Sequence, residues 1–243
     1  MKLRGIFILA LLSAIFLFHA HPALADLGDF FKGATRILGG EGELSDGKIT
    51  KGLKEALEIG TKNAVDIVSK LDGYYKNPKV KIPLPKAIRK VEKVLRVVGY
   101  GPQVDAFELS MNRAAEKAAP KATSLFWNAL KEMTFSDARK ILKGRDNEAT
   151  LYFKDKTSDT LSKIFKPIVH KAMSAVGVTR KYQDLDAMVR STALGKGLRF
   201  DLDEYVTDGA LKGLFYMLAE EEKKIRKNPA ARITKLLKEV FGR

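Results

Sequence analysis

The stretch DGKITKGLKEALEIGTKNAVDIVSKL, residues 46–71, decides the fold class of this protein. Its apolar residues recur at intervals of three and four, which is the pattern of an amphipathic α-helix about six turns long. Ser45 or Asp46 can cap the first turn, because both side chains accept hydrogen bonds from free backbone N–H groups. The pattern predicts a central helix with one buried stripe, formed by Ile49, Leu53, Ala56, Leu57, Gly60, Ala64, Ile67, Val68 and Leu71.

Helical spacing continues on both sides of this central helix. Asp146 and Thr207 are the expected N-caps of two further helices. The segment KVKIPL, residues 79–84, alternates like a β-strand, but Pro83 and Pro85 cannot donate ladder hydrogen bonds, so we expect an extended connector. The sequence therefore predicts an all-α, single-domain bundle of about ten helices without a sheet. Besides the central one, the expected helices lie near residues 27–38, 85–98, 102–118, 120–133, 134–144, 146–153, 158–176, 179–190, 207–227 and 229–241.

The chain ends in a predicted helical hairpin, AEEEKKIRKNPAARITKLLKEVFG at residues 219–242, with an Asn-Pro pair at its turn. Glu220 with Lys224, and Glu222 with Arg226, are acid–base pairs four residues apart. Each such pair contributes a few tenths of a kcal/mol on a solvated helix face. The charge pattern is therefore interpreted as architecture and needs no ligand.

The first 25 residues have the features of a secretory signal peptide. Lys2 and Arg4 precede an apolar run of 13 residues at 6–18, and Ala-Leu-Ala precedes the expected cleavage after Ala25. A transmembrane anchor needs about 20 apolar residues, and no later segment is long enough to span a bilayer. The chain has no cysteine, which excludes disulfides, thiol chemistry and a lipoprotein anchor. We therefore expect a mature protein, residues 26–243, in a bacterial periplasm or outside the cell.

Four segments of the mature chain carry a family resemblance. They are IPLPKAIRKVEKVLRVVGYG, ELSMNRAAEKAAP, MTFSDARKILKGRDNEATLYFKDKTSDTL and LDEYVTDGALKGLFYMLAEEEKKIRKNPAARITKLLKEVFG. These segments resemble those of a bacterial secreted family known only as a domain of unknown function. The resemblance covers about residues 27–241, and the last segment is its most specific part. It implies an exported, all-helical protein with a signal peptide, and it brings no catalytic residues to assign.

Histidine and cysteine usage excludes several classes of site. His170 is the only histidine left once the signal peptide is removed, and no Gly-x-Ser-x-Gly motif accompanies it. Zinc and copper sites built from cysteines and several histidines are also excluded, because the mature chain has one histidine and no cysteine. No glycine-rich phosphate-binding motif is present either. His170 is interpreted as a structural residue of a helix, and no catalytic residue, metal or cofactor is predicted.

Positive charge is concentrated between residues 76 and 96, which carry eight bases and one acid, in a mature chain with 42 bases and 29 acids. On a helix, four of these bases lie on one side, while Val91, Leu95 and Val98 lie on the other. Such a basic amphipathic helix can bind anionic lipid, an envelope polymer or an acidic protein; the alternative is a solvated face that only keeps the protein soluble. The predicted anion- or partner-binding residues are Lys81, Lys86, Arg89, Lys90 and Lys93.

Aromatic residues occur in adjacent pairs along the chain, as at Phe126 and Trp127. Neighbouring helix residues point about 100° apart, so one ring of each pair faces inward. Core packing accounts for most of these rings, and the alternative is an apolar pocket between helices that holds a lipid or another hydrophobe. The residues assigned to this pocket are Phe107, Met111, Phe126, Trp127, Phe165 and Phe215.

The sequence leaves three functions open. The first is an exported binding or interaction protein that uses the basic helix, with the apolar pocket as a site for a hydrophobe. The second is a structural or accessory protein of the cell envelope without a small ligand. The third is a carboxylate-based hydrolase or lyase on an envelope polymer, but no pair of acids stands out, so we lean away from an enzyme. Nucleic acid is not an expected partner, because export separates the protein from cellular DNA and RNA.

Overall fold

The structure, a computed structural model, describes residues 46–175 and 201–227. These residues form α-helices joined by short connections and contain no β-strand, which confirms the all-α prediction. Seven α-helices and one 3-10 turn occur in the described ranges: α1 (Asp46–Ser69), α2 (Lys86–Val97), α3 (Gly101–Ala118), the 3-10 turn (Ala119–Lys121), α4 (Ala122–Glu132), α5 (Phe135–Lys143), α6 (Glu148–Ala175) and α7 (Leu202–Lys227).

The described residues hold fewer helices than the expected number of about ten. The segments predicted as two helices near 146–153 and 158–176 form one continuous helix, α6, which accommodates Pro167 in its interior. The predicted helix start at Thr207 is also wrong. Thr207 is buried inside α7, and the carboxylate of Asp201 accepts the backbone N–H of Glu204 at 2.9 Å at the helix start.

Several expectations fall on residues that the structure does not describe. They are the signal peptide at 1–25 and the helices near 27–38, 179–190 and 229–241. In the two described ranges, no helix combines the length and the apolar composition needed to cross a bilayer.

The core is built around α7, which packs against α1, α6 and α3. Helix α3 also packs along α6, and the shorter α4 and α5 close the space between α1 and α6. Phe126 of α4 lies at the centre, with its ring 5.2 Å from that of Phe153 and 6.1 Å from that of Phe215. Helix α2 has α3 as its main neighbour and therefore lies at the periphery.

The stripe predicted for the central helix is largely buried in α1. Leu71 is the exception, because 74% of its surface is exposed. The helix ends at Ser69, and Asp72 then adopts a left-handed conformation with φ of 67°. At Gly73 a Cβ atom would lie 2.4 Å from the carbonyl oxygen of Ile67, so only glycine fits this sharp turn.

As predicted, the segment KVKIPL is a connector and not a strand, and it packs with one side inward. Its first residues, Lys79 and Val80, lie in a turn in which the N–H of Val80 donates to the carbonyl of Asn77 at 3.1 Å. Val80, Ile82 and Leu84 are buried. The side chain of Asn112 replaces a neighbouring strand: its Oδ1 accepts the N–H of Ile82 at 2.8 Å, and its Nδ2 donates to the carbonyl of Ile82 at 2.9 Å. Gly209 of α7 lets the connector approach closely, since a Cβ there would lie 3.0 Å from Ile82.

The acid–base pairs predicted on a solvated face of the last hairpin are not found as expected. Glu222 and Arg226 do contact each other at 2.8 Å, but both side chains are buried. Glu220 pairs with Lys79 at 3.4 Å, and Lys224 pairs with Glu221 at 2.5 Å. The i,i+4 spacing could not show that α5 and α6 cover this side of α7.

Candidate functional site

The eight bases between residues 76 and 96 divide into two groups in the structure. Four of them form ion pairs, and the other four have no ion-pair partner among the described residues. The paired bases are Lys76 with Asp72, Lys79 with Glu220, Lys81 with Glu108, and Arg96 with both Glu92 and Asp105. The four unpaired bases are Lys86, Arg89, Lys90 and Lys93, all exposed on α2.

Lys81 therefore does not share the environment of the four other residues assigned to anion binding. Its ammonium group lies 2.7 Å from the Glu108 carboxylate and 4.7 Å from the centre of the Tyr75 ring. Both contacts hold this cation on the connector before α2. An anion at this position would have to compete with Glu108 for the lysine.

Helix α2 turns its bases outward because its apolar residues anchor the opposite side. Ile88 and Leu95 are buried against the core, and Val91 is half-buried. Arg96 fixes the end of the helix to the first turns of α3, with its guanidinium 2.6 Å from the Asp105 carboxylate. The hydrogen bond from Arg96 holds the pKa of Asp105 below its ordinary value. Helix α2 is thus held with one face directed away from α3.

The end of α2 exposes apolar side chains beside these bases. Val94, Val97 and Val98 are exposed over 64%, 86% and 58% of their surfaces, and Tyr100 over 40%. The prediction that Val98 lies on the inner side is wrong, because α2 ends at Val97 and the chain turns at Gly99, whose φ is 92°. We call the four unpaired bases together with these four apolar residues the α2 face.

The six residues assigned to an apolar pocket do not share one environment. Phe107, Met111, Phe126, Phe165 and Phe215 are buried in the core, where rings contact one another directly. Trp127 lies apart from them, since 41% of its surface is exposed and the ammonium of Lys131 lies 5.2 Å from its ring. Core packing therefore accounts for the positions of five of the six side chains.

A groove of about 480 Å³ lies where the connector crosses α7. Its lining includes Lys79, Lys81 and Lys212, one acid, Asp208, and the rings of Tyr205 and Tyr216. Sequence reasoning missed this groove, although the motif Gly-x-x-x-Gly at 209–213 was a signal for close backbone approach on α7. The ion pairs of Lys79 and Lys81 leave the groove nearly balanced in charge.

His170 lies at a contact between two helices. It is exposed on α6, and its Nδ1 lies 2.7 Å from the Asp203 carboxylate near the start of α7. Lys166 and Asp201 form a second contact between the same two helices, at 2.8 Å. These two pairs connect the C-terminal half of α6 to the beginning of α7.

Comparison with known proteins identifies one family. A family model described as "Protein of unknown function (DUF4197)" matches residues 43–242, which include the described helices. The match starts after the predicted signal peptide and the first predicted helix, so it is shorter than the expected range of 27–241. A search of curated proteins and a search of solved structures found no match to this chain.

Proposed function

The chain belongs to the DUF4197 family of proteins of unknown function, and we propose that it is an exported, periplasmic binding protein whose α2 face docks on an anionic lipid surface. Export is supported by the two N-terminal bases, the apolar run at 6–18 and the small residues Ala23 and Ala25 at the expected cleavage point. The observation that carries the docking proposal is the composition of the α2 face.

Charge on the α2 face supports an anionic partner. Lys86, Arg89, Lys90 and Lys93 project from one helix without a carboxylate partner in the described part of the chain. Their mutual repulsion is uncompensated, whereas the other four bases of the same region are neutralised by acids. An anionic surface would remove this repulsion and gain from all four charges together.

Exposed apolar residues favour lipid over a soluble polymer or an acidic protein face. A polyanion satisfies the lysines but offers little to Val94, Val97 and Val98, which stay in water in the free protein. A bilayer provides a partner for the bases and for the valines, because its anionic head groups attract the bases and the boundary with the acyl chains accepts apolar side chains. Tyr100, half-exposed beside them, suits the interface, where a ring and a hydroxyl are both accommodated.

The expected strength follows from these contacts. A base near an anionic membrane contributes about 1 kcal/mol, so four contribute about 4 kcal/mol, or about 1,000-fold in affinity. The valines add apolar burial that salt does not screen. Binding should therefore weaken as salt rises but should not disappear entirely.

Charge reversal tests the proposal. The variant carries Lys86→Glu, Arg89→Glu, Lys90→Glu and Lys93→Glu, and binding is measured by sedimentation with vesicles of equal parts phosphatidylcholine and phosphatidylglycerol. The unmodified chain should bind, and the variant should lose binding while its helical circular dichroism is unchanged. Vesicles of phosphatidylcholine alone should bind the unmodified chain much more weakly than the anionic vesicles do, because only the apolar contacts remain.

A matched control separates this face from general charge. Lys48, Lys51, Lys154 and Lys156 are exposed and have no ion-pair partner among the described residues. Reversing these four to Glu makes the same change in net charge but should retain most vesicle binding. Equal vesicle binding by the two variants would rule out the α2 face as the docking surface. Native mass spectrometry showing a stoichiometric protein complex, with no vesicle binding by any form, would instead support a structural or accessory role.

A further inference from the structure

A second basic site lies on a different part of the molecule from the α2 face. It is a groove of about 420 Å³ lined by Lys117, Lys121, Pro167, Ile168 and Lys171. Lys117 is in the last turn of α3, Lys121 ends the 3-10 turn, and Lys171 follows Pro167 by one turn of α6. We call it the three-lysine groove.

The charge of this groove is unopposed in the described residues. All three lysines are exposed, and none of them forms an ion pair with a residue that the structure describes. The other two lining residues, Pro167 and Ile168, carry no charge. Lys121 also directly precedes α4, whose first turn contains no acidic residue. Every charged feature of the groove therefore favours an anion.

The residue type indicates which anion fits. A lysine ammonium is a compact point charge with three donors and no preferred plane, whereas an arginine fork matches the two oxygens of a planar carboxylate. Three ammonium groups around one groove suit a tetrahedral oxyanion that carries two negative charges and several acceptor oxygens. We propose that the three-lysine groove binds a phosphate group with a double negative charge, either free or as the phosphomonoester of a larger molecule.

The apolar side of the groove indicates how a phosphate with a carbon substituent would be oriented. The proline ring and the Ile168 side chain form a wall beside the lysines, so a carbon substituent on the phosphate can rest against this wall. Because a tight helix–helix contact between α3 and α6 lies behind the groove, the site is carried by rigid elements rather than by a loop. Its geometry does not depend on α2.

Calorimetric titration of the full chain with inorganic phosphate, at constant ionic strength, tests the proposal. The unmodified chain should bind phosphate with a stoichiometry of one, and Lys117→Ala, Lys121→Ala and Lys171→Ala together should weaken binding at least about tenfold. The matched control replaces three exposed lysines elsewhere, Lys48, Lys51 and Lys154, with Ala and should bind like the unmodified chain. Circular dichroism checks that both variants are folded.

A second arm distinguishes a free phosphate from a lipid-borne one. Vesicles containing phosphatidic acid, a phosphomonoester, are compared with vesicles of phosphatidylglycerol at equal surface charge, using the chain whose α2 bases are reversed. A preference for phosphatidic acid that disappears in the three-lysine variant assigns the lipid source. Phosphate binding without that preference assigns a soluble source. Failure to bind both probes, or equal loss in the triple variant and its control, would overturn the proposal without affecting the α2 face.

Discussion

Glu222 of α7 accepts both the backbone N–H and the hydroxyl of Thr150 through one carboxylate oxygen, each at 2.8 Å. Its other oxygen accepts the N–H of Ala149 at 2.9 Å and contacts Arg226 at 2.8 Å. Helix α6 is thus capped by a residue from another helix, while Asp146, the cap expected from the sequence, pairs with Lys227 at 2.7 Å.

Replacing Glu222 by Ala should destabilise the protein more than any other single acid change on α7. The substitution removes the cap of α6 and the buried carboxylate that Arg226 contacts, so we expect a loss of about 3–5 kcal/mol in the free energy of unfolding. Urea denaturation measures it. Glu220→Ala, which breaks only an exposed pair with Lys79, should cost no more than about 1 kcal/mol. Similar losses in the two variants would contradict the proposed role of the buried cap.

Gly213 should not tolerate a side chain. A Cβ atom at this position would lie 2.5 Å from Cε1 of Tyr74, whose buried hydroxyl donates to the carbonyl of Ala210 at 2.6 Å. The Tyr74 ring cannot move without breaking that hydrogen bond, so Gly213→Ala should cost about 1–3 kcal/mol despite the better helix propensity of alanine. Gly47→Ala is the control, because no atom lies within 4 Å of its added Cβ. Thermal unfolding should show a lower midpoint only for Gly213→Ala.

The turn after α1 should lose its stabilisation in acid. Hydrogen bonds from Lys76, and then from Arg113, hold the pKa of Asp72 below its ordinary value of 3.8. As pH falls, the Asp72 carboxylate takes up a proton at a higher pH in the unfolded chain than in the folded chain. Its contribution to the free energy of unfolding is therefore fully present above the pKa of the unfolded state, and it is lost as pH falls through the lower pKa of the folded state.

The measurement compares Asp72→Asn with the unmodified chain. Asparagine keeps the shape and tolerates the left-handed conformation at this position. At about pH 7 the variant should unfold at lower urea concentration, and at about pH 2 the difference should shrink or vanish. Asp159→Asn is the control, since Asp159 is exposed and forms no ion pair with the described residues. An unchanged difference at both pH values would show that the charge of Asp72 is irrelevant.

The apolar part of the α2 face can be tested with a single reporter. Trp127 is the only tryptophan of the chain, so Val97→Trp in a Trp127→Phe background places one indole on the α2 face. If position 97 enters the head-group boundary, the fluorescence emission of the introduced indole should shift to the blue on addition of phosphatidylglycerol vesicles. The shift should persist when salt is raised, provided that the protein stays bound. An indole that remains water-exposed in the bound state would indicate docking by charge alone.

The local sequence pattern was enough to predict the helical class, the buried stripe of α1 and the outward bases of α2, because each depends on periodicity within one element. It also predicted the connector at 79–84, because proline lacks the N–H that a strand needs. It was not enough for Glu222, since the same spacing describes a solvated pair and a buried one. Nor could it distinguish the lysines that find acids from those that do not.

The sequence by itself determined the helical class and an excess of positive charge, and its N-terminal pattern is typical of a signal peptide. Only the tertiary structure decided which charges are neutralised: Lys81 meets Glu108 on α3, and Lys117, Lys121 and Lys171 line one groove. The physical reason is that ion pairing and desolvation depend on distances of a few ångströms between residues far apart in the chain, and these distances exist only after the helices have packed.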